Sequence, residues 1–125
     1  MYVLLFDHIS QFVELNSTEI SLVKEAFVHK LVKRKEFISE SNKVLDETFF
    51  VHSGCLRSFV IDTNGIEKNL QFAISQWLIT DMTSFIFDKP SRLYIQALED
   101  THLLALSRTN QIQLVENVPK MMTYF

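Results

Sequence analysis

The tetrapeptide Asp62-Thr63-Asn64-Gly65 limits the fold of this chain more than any other feature. It separates two segments, residues 56–62 and 66–74, in which polar and apolar side chains alternate. Asn-Gly favours the two positive-φ positions of a type I′ turn, which joins neighbouring antiparallel strands. The alternation places one face of each strand in a core and the other in water. We therefore predict a β-hairpin here.

Five further segments have the length and composition of strands. Each is short, rich in Phe, Ile, Val or Leu, and bounded by turn-forming residues such as Asn42, Gly54 and Pro90. They are residues 31–35, 48–53, 77–80, 93–98 and 102–106. Many short strands with regular turns are typical of a sandwich or barrel wall. The sequence thus predicts a mainly β fold.

Helical patterns flank these strands. Asn16-Ser17-Thr18-Glu19 has the pattern of a capping box and is followed by apolar residues at helical spacing, which predicts a helix over residues 17–28. A shorter helix is predicted before it, from about residue 4. Ser107 is a candidate helix cap near the end, and Pro119 is a candidate first residue of a further helix. We expect N-terminal helices over about 4–30, strands over about 31–106 and C-terminal helices over 107–125.

Length and charge narrow the class of protein. A chain of 125 residues has room for one domain, so residues 1–125 are treated as a single unit. The net charge of −3 argues against binding nucleic acid through a basic surface. The single cysteine, Cys55, indicates a reducing compartment, and we expect a cytoplasmic protein. No apolar run approaches the ~20 residues of a membrane-spanning helix, so no membrane partner is predicted.

The sequence offers little for catalysis or metal binding. The four histidines, His8, His29, His52 and His102, stand singly, without HExxH or another ligand spacing. There is no GxSxG, GxGxxG or P-loop motif. We therefore predict no catalytic residue and no metal site. A cupin-like β-barrel metalloenzyme stays as an alternative, and it requires two or three histidines and a carboxylate to converge.

Residues 77–98, here called the cassette, hold the most informative pattern. They indicate a strand, one helical turn that begins near Asp81, a loop at Lys89-Pro90, and a second strand. Free N–H groups at the start of such a turn suit a phosphate, and Arg92 offers further donors. In the alternative interpretation, Asp81 only caps the turn and Arg92 lies on a solvated face.

Taken in order along the chain, these elements resemble a known family. The two N-terminal helices, the segment Phe-Val-His-Ser-Gly-Cys-Leu-Arg at 50–57, the Asn-Gly turn and the cassette resemble the cyclic-nucleotide-binding domain of the Crp/Fnr transcription regulators. The resemblance implies a double-stranded β-helix, a jelly-roll-like β-roll, with N-terminal helices and the start of a C-terminal dimerisation helix. Near residue 40 the family has Glu-Gly, and here Asn42 is expected to adopt the positive-φ turn.

The resemblance also implies a ligand site. In the family, a Gly-Glu pair before the short helix approaches the cyclic phosphate and holds the ribose hydroxyl, and a later Arg pairs with the phosphate. By position these residues become Thr80, Asp81 and Ser91, with Met82 and Arg92 beside them. Thr80 adds a Cβ where backbone approaches the ligand, Ser91 lacks the charge, and alternation directs Arg92 to the face opposite Ser91. We predict these five as ligand-binding residues, with weak binding of cyclic AMP.

The function implied is that of a ligand-sensing domain. The ligand would be cyclic AMP bound weakly, or another small anion in the β-roll pocket. The resemblance further implies a homodimer formed through the C-terminal helix, and DNA contacts made only by a helix-turn-helix domain that is not in residues 1–125. The alternative is a β-roll that serves dimerisation and binds no ligand, its former pocket filled by Phe or Met side chains.

Overall fold

The computed structural model describes residues 1–125 and contains eight strands, four α-helices and one 3₁₀ helix. The α-helices are α1 (Val3–Ile9), α2 (Ser17–Ala26), α3 (Met82–Phe87) and α4 (Arg108–Asn117), and the 3₁₀ helix is Pro119–Thr123. The strands are β1 (Phe27–Val32), β2 (Phe37–Ser39), β3 (Glu47–Ser53), β4 (Leu56–Ile61), β5 (Glu67–Ala73), β6 (Leu78–Ile79), β7 (Tyr94–Ala97) and β8 (Thr101–Ser107). None of the helices is long and apolar enough to span a membrane.

The strands form two four-stranded antiparallel sheets. The first sheet has the order β1-β8-β3-β6, and the second has the order β2-β7-β4-β5. Eleven buried residues from both sheets and their connections make one apolar cluster, in which Phe49, Val51 and Leu103 are almost fully buried. The predicted mainly β roll with flanking helices is therefore confirmed.

The helices cover part of the outer face of the first sheet. Phe27, Phe50 and Leu104 project from three of its strands into a second buried cluster. Leu5 of α1 and Met121 of the 3₁₀ helix reach the same cluster. Both ends of the chain are thus packed against one sheet, and that packing accounts for the flanking helices.

The start of α2 agrees with the prediction and its end does not. Asn16 Oδ1 accepts from Glu19 N, and Glu19 Oε1 accepts from Asn16 N, both at 2.9 Å. The helix, however, ends at Ala26 instead of residue 28, and β1 begins at Phe27 instead of residue 31. Phe27 pairs with Leu106 of β8 and is 1 % exposed. Strand pairing and burial thus override a helical pattern that continues into residue 28.

The predicted hairpin is confirmed, with a different turn. Residues 56–61 pair with residues 67–73, but Gly65 alone in the turn has a positive φ, +78°. Gly65 N donates to Asp62 O at 3.0 Å, and Asp62 N donates to Ile66 O at 3.0 Å. This is a three-residue loop with glycine in the left-handed region, not the predicted type I′ turn. Asp62 explains the difference, since its Oδ1 accepts from two backbone amides of the loop.

Three further outcomes concern β2 and the two C-terminal helices. Strand β2 was absent from the prediction, because three residues are too few to show an alternation. The predicted helix after Ser107 is confirmed, and the Ser107 Oγ accepts from Asn110 N at 3.0 Å. Pro119 begins a 3₁₀ helix, as its position predicts. We call residues 119–125 the C-terminal segment.

Candidate functional site

Helix α3 begins where the sequence predicts a helical turn. Asp81 is its N-cap residue, and the Oδ1 of Asp81 accepts from Thr83 N at 3.1 Å and from Ser84 N at 3.4 Å. The first amide groups of the helix are therefore bonded to its own cap. An anion at this helix start would have to displace the Asp81 carboxylate.

The second oxygen of Asp81 is bonded within the cassette as well. Ser91 Oγ donates to Asp81 Oδ2 at 2.7 Å, and Leu93 N donates to Ser91 Oγ at 3.0 Å. Ser91 is 1 % exposed. The two positions expected to hold ribose and phosphate thus bond to each other.

The backbone of Ser91 is held by a neighbouring turn. Ser91 N donates to Lys43 O at 2.8 Å, and Asn42 N donates to Ser91 O at 2.7 Å. Asn42 has φ +71°, which confirms the positive φ expected there. Sequence reasoning identified the turn at Asn42 but not its contact with the cassette. The separation of 49 residues leaves no local signal for this pairing.

The three other predicted residues lie apart from that pair. Thr80 Oγ1 donates to Glu47 O at 2.7 Å, and Met82 is 58 % exposed. Arg92 is exposed and forms none of the ion pairs of the chain. The structure therefore brings Asp81 and Ser91 together and leaves Arg92 exposed, but Ser91 and Arg92 precede β7, so strand alternation is not what separates them.

Thr80 and Met82 line an apolar cleft between the cassette and the C-terminal segment. The cleft has a volume of about 620 Å³, and Met122, Tyr124 and Phe125 form its other wall. No Asp, Glu, Lys, Arg or His side chain lines it. Burial raises the pKa of the Tyr124 hydroxyl well above its ordinary value. Such a cleft suits apolar groups and offers no charge to an anion.

Arg108 connects the cassette to α4. Its Nη1 donates to Phe85 O at 3.2 Å, and its Nη2 donates to Asp88 Oδ1 at 2.9 Å. On the other side of α3, Leu45 N donates to the buried Ser84 Oγ at 2.7 Å. Two hydrogen bonds thus connect α3 and its C-cap residue, Asp88, to the first residue of α4.

The cassette residues do not fit tight binding of a cyclic nucleotide. Both carboxylate oxygens of Asp81 accept hydrogen bonds from the protein, and the amide of Ser91 is bonded to Lys43 O. No arginine occupies the position that pairs with phosphate in the family, because Ser91 stands there. A nucleotide would need to break these bonds without gaining a charge pair in return.

Comparison with protein families gives one match. The family described as the cyclic nucleotide-binding domain matches residues 29–118. A comparison with curated proteins finds no match.

Solved structures of transcription regulators are similar in fold. The catabolite activator protein of Thermus thermophilus is 25 % identical, with a TM-score of 0.76 over 86 % of this chain and 50 % of that one. The N-terminal domain of a regulator from Streptomyces coelicolor A3(2) is 20 % identical, with a TM-score of 0.74 over 87 % and 77 %. The sensor domain of the regulator DNR from Pseudomonas aeruginosa is 15 % identical, with a TM-score of 0.79 over 97 % and 81 %. The chain spans half the length of the Thermus protein.

Proposed function

This chain belongs to the cyclic nucleotide-binding domain family, and we propose that it serves as the sensor domain of a Crp/Fnr-like transcription regulator. The proposed role is one of binding and regulation. A cupin-like metalloenzyme is not proposed, because no three His, Cys, Asp or Glu side chains form a group that could hold a metal ion.

The apolar cleft between the cassette and the C-terminal segment carries this proposal. Met82 and Ile86 of α3 share the apolar cleft with Met122 and Phe125, and Arg108 bonds α3 to α4. A ligand shifts an equilibrium only if it prefers one of two arrangements. We propose that a ligand in the cassette would act on the separation of α3 from the C-terminal segment across this cleft, and on the bonds from Arg108 to α3 and Asp88.

Within this role, we propose that the cassette binds cyclic AMP weakly. The hydrogen bond from Ser91 to Asp81 has to break before either side chain reaches a ligand. Arg92, exposed in the segment that precedes β7, is the one arginine beside Ser91 that could meet a small anion. We therefore propose that the cassette binds another small anion, through Arg92, better than it binds a cyclic nucleotide.

A β-roll that binds no ligand is the second candidate. The interior of the roll favours it, because Phe49, Val51 and Leu103 fill the space between the sheets. In this case the domain would serve dimerisation alone, and Asp81 would act only as a helix cap.

The partners are proposals that rest on the family. We propose a homodimer formed through the C-terminal helices and a cytoplasmic location. Contact with DNA is assigned to a helix-turn-helix domain outside residues 1–125. The net charge of −3 supports placing the DNA contacts elsewhere.

The test is a thermal-shift titration with cyclic AMP, cyclic GMP and a panel of small phosphates and carboxylates. A ligand at ~100 times its Kd stabilises by roughly 2.7 kcal/mol, which raises Tm by several degrees in a domain of this size. We expect no such shift at 1 mM cyclic nucleotide, which corresponds to weak binding.

Two variants make the titration specific. Asp81→Asn keeps a good helix cap but removes the negative charge, and Arg92→Ala removes the exposed cation. A shift with a small anion that Arg92→Ala abolishes and Asp81→Asn preserves supports the sensor proposal. A cyclic-nucleotide shift of several degrees that Asp81→Asn abolishes would show that the cassette binds ribose tightly. Absence of any shift across the panel favours the second candidate.

A further inference from the structure

Three histidines that are far apart in the sequence meet on the outer face of the first sheet. His29 lies on β1, His102 on β8 and His52 on β3, and these three strands are neighbours in the order β1-β8-β3. His29 and His102 are each two residues from an apolar residue of the helix-covered cluster on their own strands, Phe27 and Leu104, and side chains two apart share a face. His52 lies where the register of β3 shifts, next to Ser53, which pairs with His102, and the charged forms of His102 and His29 act on it.

His29 and His102 bond directly to each other. Their Nε2 and Nδ1 atoms are 2.9 Å apart, the ring planes differ by 10°, and the centroids are 5.2 Å apart. A centroid separation so much longer than the atomic contact means that the rings lie end to end. One nitrogen must therefore carry the proton and the other must accept it. The contact exists only while one of the two facing nitrogens is unprotonated.

A proton fits between these nitrogens better than a metal ion. Two nitrogens that bind one metal ion at about 2.0–2.1 Å in tetrahedral geometry lie ~3.3 Å apart and point at the metal, whereas these two lie 2.9 Å apart and point at each other. The third histidine does not complete a site, because no group of three candidate ligands is arranged to hold a metal ion.

His52 supplies a third titratable group. Its Nδ1 is buried without a hydrogen-bond partner. Burial lowers the pKa of His52, and the positive N-terminal amine of Met1 and the charged forms of His102 and His29 lower it further. No carboxylate is among the groups that act on it. Burial and the neighbouring positive charges therefore all disfavour the protonated form of His52.

The other charged groups of the surrounding elements are engaged elsewhere. On α1, His8 bonds to the Tyr124 hydroxyl at 2.7 Å, and the exposed Asp7 is not among the groups that act on His52. Lys30 of β1 pairs with Glu47 of β3 at 2.8 Å. Asp100, just before β8, accepts from Arg34 N. None of these carboxylates bonds to His29, His52 or His102.

We propose that His29, His52 and His102 form a proton-responsive patch that loosens β1 from β8 as the pH falls. Strand β1 is at the edge of its sheet, so β8 is its only strand partner. Protons on both facing nitrogens abolish the bond between His29 and His102 and leave cations adjacent across the β1/β8 pair. Because β1 follows α2 directly, an opening here also frees the helix that packs on Phe27.

The direction follows from proton linkage. His52 binds a proton less well in the folded chain than in the unfolded chain, where a histidine titrates near about 6.5. Stability is therefore complete above that pH and is lost as the pH falls below it. For each proton taken up on opening, the opening constant rises by up to about tenfold per pH unit.

The experiment compares amide hydrogen exchange at pH 7.5 and 5.5, corrected for intrinsic rates. We expect the protection of β1 amides to fall at pH 5.5, by up to about tenfold for each proton taken up, while β4 and β7 in the second sheet change little. The variant His29→Gln removes one member of the facing pair and should abolish most of this loss. His8→Gln, at the histidine outside the patch, should preserve it.

A second measurement keeps the test independent of folding in the variants. In the unaltered chain, an NMR coupling across the hydrogen bond between His29 Nε2 and His102 Nδ1 should be present at pH 7.5 and absent at pH 5.5. Equal protection of β1 at both pH values, or a coupling that persists at pH 5.5, would overturn the proposal.

Discussion

The Oγ of Ser91 donates a 2.7 Å hydrogen bond to the Oδ2 of Asp81, so the two cassette positions assigned to phosphate and ribose satisfy each other. The resemblance to the family implies that both positions face a ligand. Here the bond lies within the protein, and Ser91 is 1 % exposed. Any ligand that enters must replace this bond with contacts of at least equal strength.

Removing the Ser91 hydroxyl should destabilise the domain. We expect Ser91→Ala to lower the free energy of unfolding by about 1–3 kcal/mol, because Asp81 Oδ2 and Leu93 N both lose a partner. Urea denaturation monitored by circular dichroism measures the change. Ser21→Ala is the matched control, since the exposed Ser21 bonds only to Ser17 O within α2. Equal stability of the two variants would contradict a structural role for the bond.

Breaking the contact between α3 and α4 should loosen the cassette. We expect Arg108→Ala to increase amide exchange across α3 by several-fold and to lower the free energy of unfolding by about 1 kcal/mol, because Phe85 O and Asp88 lose their donor. Arg92→Ala is the control, as Arg92 is exposed and forms no ion pair. If Arg108→Ala and Arg92→Ala change amide exchange in α3 equally, the hydrogen bonds from Arg108 do not hold α3 in place.

Gly54 should tolerate no side chain. It has φ +107°, and a Cβ would lie 2.7 Å from Thr101 Cα. We expect Gly54→Ala to cost about 2–5 kcal/mol, from backbone strain and overpacking together. Gly65→Ala is the matched comparison, because Gly65 has φ +78° but nothing within 4 Å of the added atom.

Gly65→Ala should lower the free energy of unfolding by about 1–2 kcal/mol, from backbone strain alone. Thermal or urea unfolding of both variants measures the difference. A Gly54 variant no less stable than the Gly65 variant would mean that the backbone of Thr101 moves aside easily.

Features fixed by neighbouring residues could be predicted from the sequence. The capping box at Asn16, the hairpin at residues 62–65 and the cap at Asp81 each depend on atoms within four residues of one another. The end of α2 could not, because pairing with β8 places Phe27 in a strand. The type of turn is also fixed locally, but the Asn-Gly pattern alone does not show that Asp62 Oδ1 accepts from two amides of the loop.

The remaining features depend on pairs that only the tertiary fold brings together. Ser91 and Asp81 are ten residues apart, and His29 and His102 are 73 residues apart. The sequence shows four single histidines, and the order β1-β8-β3 places three of them on one face. The resemblance to the family indicated the cassette positions, but it did not indicate the hydrogen bond between Ser91 and Asp81.

The last prediction concerns the C-terminal segment at alkaline pH. Tyr124 is 8 % exposed, and its hydroxyl lies 2.7 Å from His8 Nδ1. Burial raises the pKa of Tyr124, so the folded chain keeps the phenolic proton where the unfolded chain releases it. The stability linked to this group is complete below about pH 10 and is lost as the pH rises above it, at up to about 1.4 kcal/mol per pH unit.

We therefore expect Tyr124→Phe to cost about 1 kcal/mol at pH 7 and to lose less stability than the unaltered chain between pH 9 and 11. Tyr94→Phe is the control, because it removes a tyrosine of the second sheet and should leave the alkaline loss intact. Urea midpoints at four pH values measure both slopes. If the stabilities of the unaltered chain and of Tyr124→Phe fall equally as the pH rises, the ionisation of Tyr124 is not linked to unfolding. Burial would then not keep its hydroxyl protonated.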